Sequence, residues 1–85
     1  MFIVFYVYIL ECADLTYYIG YTIDLEKRIK LHNEGKASKY TRARLPVRAI
    51  YYEAHETKSN ALKREIALKR LTRQQKLQLL NEQKE

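Results

Sequence analysis

The sequence predicts an α+β domain: a three-stranded, largely antiparallel sheet flanked by helices, in the order β-β-α-β-α-α. Three observations predict it. Residues 2–10 form an apolar run rich in β-branched and aromatic side chains, the pattern of a strand covered on both faces. Two later stretches, opening near Asp24 and Thr57, carry apolar residues at helical spacing behind a polar cap. Between them Pro46 opens another extended run, since proline can start a strand but not occupy its middle. The 85 residues read as one domain spanning 1–85, and the lone Cys12 leaves packing as the source of stability.

The first strand, Phe2 to Leu10, should lie mid-sheet. Along it Tyr6 and Tyr8 share a face, and in the second strand Tyr18 shares a face with Gly20, which leaves two phenols beside an open patch. The break between the strands, Glu11 to Thr16, contains no glycine and predicts a loop longer than a tight hairpin turn. Cys12 reads as a small residue at a strand end rather than a reactive thiol.

From Thr22 or Asp24 to Gly35 the pattern is helical, with glycine at the C-terminal stop. Leu25, Ile29 and His32 lie on one stripe, with Arg28 at its edge one turn from His32. Periodicity alone favours a packed histidine and an arginine snorkelling to water, although the same pair against a tyrosine-bearing sheet suits a phosphodiester. The following stretch, Lys36 to Pro46, is the one long irregular segment. Its Lys36, Lys39, Arg42 and Arg44 around Tyr40 suit a phosphate backbone with one stacked base, or an ordinary basic connection.

The third strand, Val47 to Glu53, alternates Val47, Ala49 and Tyr51 against Arg48, Ile50 and Tyr52, the tyrosines serving as packing residues. A helix capped by Thr57 should run from about Lys58 to Leu71. On its wheel Ala61 and Leu68 flank Glu65 on one side, Leu62 and Ile66 on the other, so the carboxylate falls inside the apolar arc. A buried carboxylate needs a partner. The pattern leaves Lys69 and a bound divalent cation equally open. Thr72 and Gln75 form a capping box for a last short helix, with Leu77 and Leu80 packing back and Asn81 to Glu85 fraying.

Charge bounds the function. Residues 1–26 carry −4 and the remainder +10, for +6 overall. A localised basic surface concentrates polyanions, nucleic acid above all, though a solubilising surface has the same signature. The apolar N-terminus is too short for a membrane span and lacks the flanks of a signal peptide, so we expect a cytoplasmic protein with no membrane partner.

Tyr6-Val7-Tyr8 and Tyr18-Ile19-Gly20, followed at fitting places by Arg28, His32 and Glu65, resemble the motifs of the GIY-YIG nuclease family. The resemblance runs from Tyr6 to about Leu80 and is strongest with a small single-domain bacterial subgroup of excision-repair-endonuclease-like proteins. Two positions depart from the wider family: Tyr6 stands at the motif's first glycine, as in that subgroup, and Leu15 stands where glycine is common.

The resemblance implies a metal-dependent endonuclease acting on DNA in repair or processing, directed by structure or by single strands. Its implied catalytic set is Tyr8, Tyr18, Arg28, His32 and Glu65. Glu65 would hold Mg²⁺ or Mn²⁺; Tyr8 would take a proton from water, with His32 as relay; Tyr18 would position water or a phosphate oxygen; Arg28 would counter transition-state charge. Gly20 would let backbone and substrate approach, and Lys36, Lys39, Tyr40, Arg42 and Arg44 would hold the strand. DNA is favoured over RNA. Two other classes fit the residues: a nucleic-acid-binding module with little turnover, and an adaptor that binds a protein partner through its tyrosine-rich sheet.

Overall fold

Strand β1 (Phe5–Glu11) lies between β2 (Tyr17–Thr22) and β3 (Arg48–His55) and pairs antiparallel with both. The computed structural model describes residues 3–83. The central place of β1 follows from its composition: Val7, Tyr8, Ile9 and Leu10 are all buried, so alternate side chains feed two cores. One core joins Val7 and Ile9 to Ile19, Tyr51, Ala61 and Leu68; the other joins Tyr8 and Leu10 to Cys12 and Val47. Each buried Val, Ile or Leu among them contributes about 1.5–3 kcal/mol by leaving water. Cys12 is buried, as expected for a packing residue, and burial pushes its thiol pKa up.

β1 starts later than predicted. Ile3 and Val4 are exposed and lie ahead of the strand, because the pairing ends at Phe5 opposite His55 and at Tyr6 opposite Thr22. Phe2 lies outside the described residues. In the loop after β1, Leu15 itself takes the left-handed conformation, φ 68°, which an L side chain adopts at a cost of about 1–2 kcal/mol.

Helix α1 (Leu25–Asn33) is capped by Asp24, whose side chain accepts from the Lys27 N–H. It stops at Gly35, φ 76°, where the Gly35 N–H bonds to the His32 carbonyl and the Lys36 N–H to that of Leu31, the paired bonds of a Schellman motif. Asn33 then fastens the helix end to the sheet: its side chain accepts from the Val47 N–H at 2.7 Å and donates to the Val47 carbonyl at 3.0 Å.

The segment predicted to be wholly irregular contains a one-turn helix, α2 (Lys39–Arg42), capped by Ser38. In β3 the simple alternation fails. An irregularity between Ile9 and Leu10 pairs Ile9 with Tyr51 but Leu10 with Ala49. Ile50 and Tyr51 therefore both pack into the first core, while Ala49 and Tyr52 are exposed.

Thr57 caps α3 (Lys58–Lys69) as predicted, accepting from the Asn60 N–H. The apolar arc is narrower than the wheel suggested: Ala61 and Leu68 are fully buried, whereas Ile66 is 52% exposed. Glu65 thus sits at the margin of the buried stripe, not within it. The Thr72–Gln75 capping box forms in both directions and opens α4 (Arg73–Gln83). Leu79 and Leu80 pack on the first core while Leu77 stays exposed. The helix continues through Asn81 to Gln83, where fraying was expected; Lys84 and Glu85 lie outside the described residues.

Candidate active site

Tyr8 stands directly opposite Gly20 across the β1–β2 ladder. A Cβ at Gly20 would lie 2.6 Å from the Tyr8 Oη and 2.9 Å from its Cζ, so glycine is required there by the phenol itself. Gly20 also lines the cleft beside this phenol, so the packing of Tyr8 stands alongside the expected approach of substrate.

The phenol is held in an aromatic triangle. The His32 ring centroid lies 5.9 Å from that of Tyr8 and 5.1 Å from that of Tyr18, both edge-on, and the two tyrosines are 6.5 Å apart. His32 is 1% exposed. Its Nε2 lies 2.9 Å from the Tyr8 Oη and its Nδ1 2.9 Å from the Thr41 Oγ1. The Thr41 hydroxyl donates to the Ser38 carbonyl, which assigns the tautomer: Nδ1–H donates to Thr41, and the bare Nε2 accepts from Tyr8. Burial and the neighbouring Arg28 charge hold the His32 pKa below its ordinary value, so the imidazole is neutral at pH 7. Burial, then the Tyr18 and Glu65 charges, push the Tyr8 pKa well above the usual phenol range, with Arg28 opposing. The resting site therefore holds a phenol, not a phenolate.

Beside this triangle opens a cleft of about 420 Å³ lined by Tyr8, Tyr18, Gly20, Arg28, Lys58 and Glu65, with Phe5, Tyr21, Thr22 and Ile23 completing its wall. Four of the five predicted catalytic residues face it, and His32 stands behind Tyr8. Glu65 is divided: Oε1 accepts from the Lys69 Nζ at 2.8 Å, whereas Oε2 is buried without a partner. A desolvated carboxylate oxygen of this kind suits a hard cation. Among the described residues no three His, Cys, Asp or Glu side chains cluster, so a cation held by Glu65 would keep waters or borrow phosphate oxygens, as Mg²⁺ does.

Tyr6, at the motif's departing position, does not line the cleft; its ring packs edge-on to Tyr52, 6.0 Å between centroids. The predicted strand-holding residues of the 36–44 segment do not line the cleft either, although the Tyr40 ring stacks on Tyr18 at its edge, 6.2 Å between centroids. Lys36 faces Glu34, and Lys39 and Arg42 are exposed on α2. Arg44 lies 3.9 Å over the Tyr40 ring, donates to the Tyr40 carbonyl and faces Asp14 at 3.0 Å, so this pair ties α2 to the β1–β2 loop.

Two residues were missed. Thr41 sits in the segment read as irregular, and the N-cap signal of Ser38 was the clue that this stretch turns inward. Lys58 is seven residues before Glu65, two helical turns along the same face, a relation the wheel contains.

The sequence matches the family described as the GIY-YIG catalytic domain over residues 4–78. It is 52% identical over 77 residues to a UPF0213 protein of Streptococcus pneumoniae, covering 91% of this chain and 78% of that protein. A UPF0213 protein of Clostridium perfringens is 55% identical over 76 residues, covering 89% and 82%. Among solved structures, the solution NMR structure of a protein from E. faecalis shares 45% identity and a TM-score of 0.63, covering 95% of this chain and 88% of that one. That of a UPF0213 protein from Bacillus halodurans shares 46% and 0.61, covering 92% and 83%.

Proposed function

This chain belongs to the GIY-YIG family, and from that premise we propose that it is a divalent-metal-dependent endonuclease that hydrolyses DNA phosphodiester bonds. The observation that carries the reading is the half-satisfied Glu65 facing a cleft shared with Arg28 and the Tyr8 hydroxyl. Glu65 would hold a divalent ion, which would supply Lewis-acid polarisation of a phosphate oxygen.

The chain's own residues account for the rest. Arg28 and Lys58 line the cleft as the cations that hold a phosphate, and Arg28 gains strength as negative charge builds on the phosphoryl oxygens. Tyr8 cannot act as a standing base, because its proton is held tightly. It acts instead as a relay: as its Oη takes a proton from the attacking water, its own proton passes to the His32 Nε2, and Thr41 steadies the imidazolium from Nδ1. Tyr18 packs against both rings and fixes their angle.

The test is cleavage of end-labelled single-stranded, duplex and branched DNA, with a matching RNA, under Mg²⁺, Mn²⁺ and EDTA. Metal-dependent cutting that disappears in Glu65→Gln is the expected result, and the same panel reads single-strand or branch preference and DNA over RNA. One observation favours a second reading. Lys69 already neutralises one Glu65 oxygen, which suits a module that binds nucleic acid without cutting it. Salt-sensitive binding with no cleavage under any metal would establish that reading instead.

A further inference from the structure

Tyr18 has a second side. Beside it a groove of about 230 Å³ is lined by Tyr17, Tyr18, Ile19, Tyr40, Lys69 and Lys76. Three aromatic rings and two ammonium groups line it, and no carboxylate among the described residues does. Its walls come from three places, β2, α2 and the α3–α4 pair, so the fold assembles it. Tyr18 and Tyr40 are stacked, 26° between planes and 6.2 Å between centroids, which gives the wall an aromatic face. Lys69 is engaged by Glu65. Lys76 has no ion pair among the described residues, and the nearby Arg73 guanidinium sits 5.2 Å from the Tyr17 ring centroid.

We infer that this groove is a nucleotide subsite for single-stranded nucleic acid, in which a base packs on the tyrosine wall and its phosphate meets Lys76. Aromatic surface interleaved with cations is the chemistry that binds unpaired strands, because every base offers a π-face and every nucleotide a charge. A duplex has its bases stacked inside and cannot present one to this wall. The inference rests on the nuclease reading for one step: Tyr18 lines both the cleft and the groove, so a strand with one phosphate in the cleft has its neighbouring nucleotide here. The groove thereby selects substrates with an unpaired nucleotide beside the cut.

The test is fluorescence anisotropy of a labelled oligothymidylate and of a blunt duplex, in EDTA, with folding of each variant verified by its amide NMR spectrum. Lys76→Gln weakens single-strand binding about 3- to 10-fold and lowers the salt slope by about 0.7. Tyr17→Leu, which keeps apolar bulk toward the core, weakens it about tenfold, while Tyr17→Phe binds as wild type. Wild-type affinity in folded Lys76→Gln or Tyr17→Leu overturns the subsite, as does an equal loss on the duplex. Because metal is absent, binding and cleavage fail separately. A chain that cuts but binds unchanged in these variants loses the groove and keeps the nuclease reading; one that binds through them and never cuts does the reverse.

Discussion

Glu53 and Glu65 are shielded to a similar degree, with side chains 20% and 16% exposed, and the structure treats them oppositely. Glu53 is satisfied from three sides: Tyr51 donates to it, His55 lies 2.9 Å away and the Arg64 Nε donates at 2.6 Å. Burial raises its pKa, but the bonds from Tyr51, Arg64 and His55 outweigh that and leave it below the ordinary value. Glu65, the next residue along the helix from Arg64, has one oxygen on Lys69 and the other buried with nothing. A carboxylate whose bonds are complete ties β3 to α3; one left incomplete at a cleft has an oxygen free for the cation proposed above. The contrast separates a stabilising cluster from the candidate site without any appeal to position in the sequence.

The comparison is broken most directly by exchanging each carboxylate for its amide. Glu65→Gln should cut cleavage by about 10²–10³-fold while leaving thermal stability within about 0.5 kcal/mol, since it removes a half-paired buried charge. Next, Tyr8→Phe should lower the turnover rate about 10²-fold by removing the relay, with a stability loss of about 1 kcal/mol for its bond to His32. Wild-type turnover should also fall on the acid side once His32, whose pKa burial and Arg28 hold below the ordinary value, becomes protonated and can no longer accept.

Glu53→Gln should do the converse of Glu65→Gln: about 2 kcal/mol less stable in denaturant unfolding, with turnover intact below its melting point. Glu53 is a carboxyl with a depressed folded pKa, so its stabilisation is present above the ordinary carboxylate value and is lost as pH falls through the folded one. Glu53→Gln should flatten that acid-side decline. The smallest effect sharpens the contrast. Leu15 is exposed and left-handed, so Leu15→Gly should stabilise by about 0.5–1 kcal/mol. Combined with Glu53→Gln it should restore activity lost to unfolding; combined with Glu65→Gln it should restore none.

Local signals carried most of the architecture. The caps at Asp24, Thr57 and Thr72 bond within a few residues of themselves, so their pattern is complete in the chain. The buried faces of β1 likewise declare themselves in its unbroken apolar run. What stayed hidden depends on long-range register. The irregularity opposite Ile9 and Leu10 reverses which β3 side chains face inward, and no β3 residue marks it. Thr41 acquires its meaning only when α2 folds against His32, and Glu65 looked central because Ile66 reads as apolar although it is 52% exposed. At the site, helical spacing put Arg28, His32 and Glu65 on inward faces and the family resemblance supplied their expected roles, whereas the state of the Glu65 oxygens required the partners to be in place.

The measurement that tests the central contrast is Mn²⁺ titration of ¹⁵N-labelled protein, read as paramagnetic broadening of amide signals, in wild type, Glu65→Gln and Glu53→Gln. Broadening centred on Glu65 and Tyr8 that persists in Glu53→Gln and vanishes in Glu65→Gln is the predicted result. Broadening that is unchanged in Glu65→Gln would contradict the account, because the cation would then be held by other groups.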